Sequence, residues 1–322
     1  MAISVPGITK LNLTILLTTA LIFGVVAGIF AVVIWFSGAS GASAIWLWIG
    51  FSLLMLGIQW YFGPGIIIWA SKAKEVDANE EPKLHAIVSE LARLAGIPKP
   101  KVFIVPNNSP NAFAFGRTQA SAGVAVHTGL MRILDEDEVR AVLAHEIGHI
   151  KHRDVTVMTV ASVLPIMLYY AVLIFGSGDS RNRGLGSFIM VFLGAILAQI
   201  LGRLVVMWLS RQREYYADAF SAYATKRPSS LMRALAKITY NAAPAKKQNS
   251  MLRAFYIAEP SAGERKAMAE VIEVLGMGDA AIEMAIEKEK KVGVKEWLST
   301  HPATWKRLSS LLKLKKQMAL AG

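Results

Sequence analysis

The chain has no cysteine among its 322 residues, so disulfides and thiolate metal ligands are excluded, and any metal must be held by His, Asp or Glu. Charge is also scarce. Asp, Glu, Lys and Arg make up 18% of the residues against 54% hydrophobic ones, and the mean hydropathy is positive. A water-soluble protein of this length lacks the polar surface for such a balance, so the chain needs a very large core or a lipid environment. There is no internal repeat and no low-complexity tract. The net charge of +12 is not accompanied by an RNA- or DNA-binding signature; basic residues flanking membrane spans account for it better, and no nucleic-acid partner is expected.

Long apolar runs are what the sequence has instead. Leu11 to Phe36 carries no charge and exceeds the roughly 20 residues needed to cross a bilayer. A signal peptide is the rival reading. The run is longer than a signal core of roughly 7–15 residues, and a second run follows at once, so a retained anchor is expected. That second run, Ile45 to Phe62, ends among Trp60, Tyr61 and Trp69 at a Gly63-Pro64-Gly65 break, where aromatic rings suit a headgroup interface. Two later runs, Val155 to Phe175 and Ser187 to Leu201, are joined by the polar turn Gly178 to Arg183. Arg203 interrupts the fourth before Leu204 to Leu209 and is expected to snorkel; a buried hairpin in a soluble domain is the alternative for this pair.

With four spans, Lys10, Lys72, Lys74, Lys151, Arg153, Arg211 and Arg213 fall on one side and only Arg181 and Arg183 on the other. The positive-inside rule assigns the larger group to the cytoplasm. The expected organisation is a transmembrane hairpin over residues 1–70, a first soluble part over 71–154, a second hairpin over 155–209 and a second soluble part over 210–322. The expected protein is multi-pass in the cytoplasmic membrane, with both termini inside. In the first soluble part, helical periodicity covers Pro82 to Ala95, and β-rich runs cover Lys101–Val105, Ala112–Phe115 and Gly123–Val126. Nearly everything after Ser229 reads as helix. The fold class is thus mainly α: a multi-span helical membrane protein with a cytoplasmic zincin-like domain carrying a small β-sheet.

The chemistry concentrates at Asp135 to His149. Asp135 with Glu138 forms an N-cap and capping-box pair, and the acidic first turn suits the helix dipole. On the helix that follows, His145 and His149 lie four residues apart and project from one face. Two imidazoles on adjacent turns can share a metal ion, with Glu146 offset beside it as a base rather than a ligand. Alone, H-E-x-x-H leaves a second reading open, an exposed helix with two incidental histidines. The third ligand narrows the choice. A metzincin needs Gly at 152 and His at 155; the chain has His152 and Val155. Glu214, on a helix that returns towards the motif, is placed to be the third ligand. Asp218, one turn further on the same face, is placed to accept the free ring N–H of a ligand histidine; two acidic residues at this spacing also read as plain surface residues. Of the other histidines, His152 falls in the basic stretch Lys151-His152-Arg153 and reads as interfacial, while His85 and His127 read as structural or surface residues.

These residues, together with the apolar runs around them, resemble the HtpX-type membrane metallopeptidases, relatives of the CAAX prenyl endopeptidase. Asn111-Ala112-Phe113-Ala114 is similar to the family's segment before the metal helix. His301-Pro302 followed by Arg307 is similar to its late His-Pro motif. The resemblance runs from the first span to Leu311 and is least clear over Ala243 to Thr300. It implies one zinc ion per chain on His145, His149 and Glu214, Glu146 as general base, Asp218 as a support to the ligands, and His301 as a donor near the oxyanion. It further implies that Asn111–Ala114 is an edge strand pairing with substrate backbone, and that the substrates are misfolded or damaged membrane proteins. Two alternatives share the motifs: a metal-stabilised binding or chaperone-like protein without hydrolysis, and a CAAX-type prenyl-peptide endopeptidase. The first does not explain an unligated Glu146; the second ordinarily wants more than four spans. Manganese or cobalt would suit the same donors. Oligomeric state and cleavage preference are not written in the sequence.

Overall fold

The computed structural model describes residues 42–162, 185–241 and 301–321, with the short pieces 164–166, 168–169, 172, 268–269, 271–275, 282–284 and 286–287. The expected span Leu11–Phe36, the turn Gly178–Arg183 and most of Ala243–Thr300 lie outside the described residues. The chain divides into two units, Met1–Tyr61 and Phe62–Gly322. Of the first, the described residues are 42–61, all helical and belonging to α1 (Ala42–Ser71).

Helix α1 corrects one expectation. The predicted break at Gly63-Pro64-Gly65 does not occur, and the helix runs through Pro64 to Ser71. Proline removes one N–H from the helix ladder. For a stretch long and apolar enough to cross a membrane, a backbone in lipid would find no water to bond instead, so remaining helical on both sides is the better arrangement. The helix closes where the Ser71 hydroxyl donates to the Ile67 carbonyl at 2.7 Å, and Lys72 adopts φ +55.

The second unit is built on a small mixed sheet. Strands β1 (Lys74–Glu75), β2 (Lys101–Val105), β3 (Ala112–Phe115) and β4 (Gly123–His127) are ordered β1-β2-β4-β3, with β2 and β4 parallel and the outer pairings antiparallel. Strand β3 is therefore an edge. Helix α2 (Pro82–Ala95) starts on a proline in its first turn and stops at Gly96, whose φ of +69 suits a residue without a side chain. The short helix α3 (Thr128–Ile133) then leads to α4 (Glu136–Lys151).

Both faces of the sheet are covered. On one, Val102, Val124 and Val126 join Leu84, Val88 and Leu91 of α2 and Val142, Leu143 and Ile147 of α4 in the main core. On the other, Phe103, Val105, Phe113, Phe115 and Ala125 pack against Ile67, Ile68 and Ala73. Helix α4 starts on the expected capping box: the Glu138 N–H donates to Asp135 and the Asp135 N–H to Glu138, at 2.9 and 3.0 Å. Glu138 is fully enclosed, and Arg233 and Lys237 reach it from α7 (Pro228–Asn241) at 3.2 and 2.7 Å.

Beyond α4, helix α5 (Asp154–Ala161) begins the third apolar run. Helix α6 (Leu185–Thr225) passes unbroken through Arg203 and Leu209, so the charge that interrupts the apolar run does not interrupt the helix. Gly202 of α6 lies so close to Pro165 that a Cβ would meet the proline Cα at 2.8 Å. Helix α8 (Thr304–Ala321) closes the described chain and packs on α7 and α6. Among the described residues two stretches are long and apolar enough to cross a membrane, Ile49–Ser71 and Ile189–Thr225.

Candidate active site

Helix α4 carries His145 and His149 one turn apart, their Nε2 atoms 3.1 Å from each other. Helix α6 crosses α4 at Gly148, where an added Cβ would lie 3.1 Å from the Ala217 Cα. This approach of two small residues brings in the α6 face. Glu214 Oε2 lies 3.7 Å from His145 Nε2, and Glu214 Oε1 lies 3.5 Å from His149 Nε2. One turn further, Asp218 Oδ1 meets His145 Nδ1 at 2.9 Å, and beyond it the Ser221 hydroxyl donates to the Ala141 carbonyl at 2.6 Å. The spacing Glu214, Asp218, Ser221 thus places one polar row on the buried side of the helix.

The late motif comes to the same place. Arg307 of α8 is buried and grips Asp218 with two bonds, Nη2 to Oδ1 at 2.6 Å and Nε to Oδ2 at 2.9 Å. Its Nη1 lies 3.1 Å from Glu214 Oε2. Burial works against the Arg307 cation, but the Asp218 and Glu214 carboxylates outweigh it and push the pKa further up. His301, just before α8, sets its Nδ1 3.3 Å from Glu214 Oε1.

Glu146 stands beside the histidine pair, and its Oε2 accepts the Ala114 N–H of β3 at 2.8 Å. Burial raises the Glu146 pKa above the ordinary carboxylate value, with the His145 and His149 imidazoles opposing the rise. Asn111 is buried ahead of β3, and its carbonyl accepts the His127 N–H at 2.9 Å. Ala112 and Phe113 lie in the edge strand, paired with Val126 and Ala125. His127 is a core residue whose Nδ1 lies 2.9 Å from the Ser109 carbonyl.

Of the residues named from the sequence, His145, Glu146, His149, Glu214, Asp218, His301 and Arg307 come together, and Ala114 reaches them from β3, while Asn111, Ala112 and Phe113 pair with β4. The two that the sequence missed are Asp154, whose Oδ2 lies 2.6 Å from His149 Nδ1, and Arg213, which pairs with Asp154. Asp154 had no spacing signal, because five residues along a continuous helix do not share a face. Arg213 reads in sequence as a cation flanking a membrane run.

The donor set fits a divalent metal. Both histidines meet a carboxylate at Nδ1, so that nitrogen carries the proton and Nε2 is a bare lone pair. Two such lone pairs and the Glu214 carboxylate converge, and they repel one another unless a cation lies among them. A four-coordinate ion with bonds of about 2.0–2.1 Å sets its ligand atoms roughly 3.3 Å apart, in keeping with the 3.1, 3.5 and 3.7 Å found. Charge agrees: among the described residues the buried carboxylates of Glu146, Glu214 and Asp218 are met by the guanidinium of Arg307, an excess of two negative charges when all three are ionised.

A largely enclosed His-His-Glu triangle beside an unligated glutamate and a sheet edge, with its glutamate on a helix continuous with an apolar stretch, describes a membrane-bound metallopeptidase. The chain belongs to peptidase family M48, which it matches over residues 78–315. Metallopeptidases of this family are zinc-dependent in general. The chain is 41% identical to a "Protease HtpX homolog" of Methanothermobacter thermautotrophicus over 73% of its length and 88% of that protein's. It is 36% identical to one from Moorella thermoacetica over 90% and 89% of the two chains, and 35% identical to one from Pyrococcus furiosus over 94% and 96%. Among solved structures, S. mikatae Ste24p shares the fold with a TM-score of 0.57 at 19% identity; the match covers 94% of this chain and 66% of that one. The protein is a membrane-bound metalloendopeptidase.

Proposed function

We propose that this protein is a zinc endopeptidase of the cytoplasmic membrane that cuts unfolded or damaged membrane proteins. His145, His149 and Glu214 would hold one zinc ion, with Asp218 and Arg307 fixing His145 and Glu214 from behind. Bound there, zinc would supply Lewis acidity for the scissile carbonyl and for water. Glu146 takes the proton from the attacking water and passes it to the leaving amine. His301 donates to the oxyanion as charge develops there. The β3 edge, Asn111 to Ala114, pairs with the extended substrate backbone, and main-chain bonding of this kind favours unfolded chains over a particular sequence.

The observation that carries this reading is the 2.8 Å contact between Glu146 and the Ala114 N–H. It joins the unligated acid of the metal helix to the strand edge where a substrate backbone would lie, an arrangement that a purely structural metal site does not need. The cytoplasmic, multi-pass topology rests on the basic residues Lys72, Lys74, Lys151, Arg153, Arg211 and Arg213 at the ends of the apolar runs.

The test pairs wild type with Glu146→Gln in mild detergent, measuring bound zinc and cleavage of casein and of an unfolded membrane protein. Equal zinc is expected in both, with cleavage by the variant lower by about 10²–10⁴-fold. Equal cleavage by the two proteins overturns the assignment of the base.

A further inference from the structure

The His145 side of the cluster is backed by Asp218 and Arg307. The His149 side has its own backing, which the functional reading above leaves without a role. His149 Nδ1 lies 2.6 Å from Asp154 Oδ2, and the other Asp154 oxygen is ion-paired with Arg213. Arg213 also donates to the His152 carbonyl at 2.6 Å. Both side chains are largely enclosed, each 14% exposed.

We propose that Asp154 and Arg213 are a positioning pair for the ligand His149, the counterpart of Asp218 and Arg307 behind His145, and that the pair sets how tightly the site holds its metal. The proposal rests on the His-His-Glu reading of the site. Its first support is the repeated chemistry: each ligand imidazole gives its Nδ1–H to an aspartate, and each aspartate is held by an arginine. A carboxylate in that position fixes the tautomer, turns Nε2 towards the metal and makes it a better donor.

The second support lies in the backbone. Asp154 follows His149 by five residues, and a helix continued through both would point them to different sides. The chain does not continue. Helix α4 ends at Lys151, and Arg153 takes φ +54, a left-handed conformation uncommon for a residue with a side chain. The corner so made starts α5 at Asp154 and folds its carboxylate back onto His149. An uncommon backbone conformation is thus found at the one residue whose turn delivers this contact.

The third support is the position of Arg213 next to Glu214 on α6. The pair therefore ties the α4–α5 corner to the helix that supplies the third ligand, so that two of the three donors are set relative to each other. A plainer account makes Asp154 the acidic first-turn residue of a helix and Arg213 a membrane-flanking cation. That account gives no reason for the Asp154 carboxylate to meet a ligand imidazole, or for Arg213 to be enclosed.

The experiment compares the full chain in detergent as wild type, Asp154→Ala, Asp154→Asn, Arg213→Met and Arg213→Lys. Zinc affinity is read by competition with a chromophoric chelator, and the visible spectrum is recorded with cobalt in place of zinc. Asp154→Ala is expected to weaken zinc binding by roughly 10–100-fold and to shift the cobalt bands. Asp154→Asn keeps an acceptor and should lose less; it also carries the test if the alanine variant does not fold. Arg213→Met should weaken binding, Arg213→Lys should recover part of the loss, and adding Arg213→Met to Asp154→Ala should cost little more, since the arginine acts through the aspartate. Tight zinc binding by wild type with unchanged affinity and spectrum in every variant overturns the pair alone. A wild type that binds no zinc overturns the donor set, and the pair with it.

Discussion

Helix α6 arranges its side chains in two opposite ways. From Ile189 to Trp208 the large apolar groups point outward: Met190 is 72% exposed, Leu197 58% and Trp208 56%. From Glu214 onward polar groups are enclosed alongside small apolar ones, with Glu214, Asp218 and Ser221 buried beside Ala217 and Ala222, while Tyr216 is 63% exposed. The backbone is the same in both stretches, so the difference lies in the surroundings. The first is long and apolar enough to cross a membrane, and in hydrocarbon the exposure of leucine would be harmless. In the second, α4 and α8 bring a cation, two imidazoles and a carbonyl to meet each polar group, and only then does enclosure of a carboxylate become tolerable.

The sharpest way to break the contrast is to remove a partner in the polar stretch. Arg307→Met leaves the Asp218 and Glu214 carboxylates enclosed without their cation. A loss of about 3–5 kcal/mol is expected, seen as a melting temperature lower by roughly 10 °C for a unit of this size. An unchanged melting temperature would show that water reaches these carboxylates.

The apolar stretch is tested by charging it. Leu197→Lys should carry a penalty of about 2.5–3.5 kcal/mol for membrane insertion, read as a smaller carbonate-resistant fraction. The same change at equally exposed Tyr216 should stay within about 0.5 kcal/mol. If both lysines are tolerated alike, residues 189–209 do not face lipid and the contrast is lost.

A pH experiment has the smallest expected effect and sharpens the enclosed side. Burial raises the Glu146 pKa in the folded protein, so the fold favours the protonated acid. In the metal-stripped protein that contribution is present below the unfolded-state carboxylate value and is lost as pH rises through the raised folded value. Wild type should therefore fall in stability relative to Glu146→Gln over that rise, and the two should converge towards acid. Parallel curves would mean that Glu146 is open to water.

Much of this was legible in the sequence because it depends on short-range spacing. Pro82 and Gly96 mark the ends of α2, three of the four strands follow their β-rich runs, and Asp135 with Glu138 announces α4. Other features were not. Pro64 looked like a stop, because a proline's cost is reckoned for a chain in water. The partners of Glu138 lie on α7, about a hundred residues on, and no local pattern points to Arg233 or Lys237. Of the two residues behind His149, Arg213 was read as a cation at the end of an apolar run and Asp154 was given no role, because their contact depends on a single left-handed turn at Arg153.

The sequence by itself determined which side chains share a face: His145 with His149, and Glu214 with Asp218, since the pitch of a helix converts a spacing of four into a direction. It also determined that much of the chain is too apolar for water. Only the tertiary structure decided that these two faces meet. That depends on Gly148 and Ala217 letting two helices approach within van der Waals contact, on α8 closing over Asp218 with Arg307, and on β3 reaching Glu146 through one backbone N–H. Spacing fixes an angle about one helix axis, whereas the distance between two helices is set by everything packed around them.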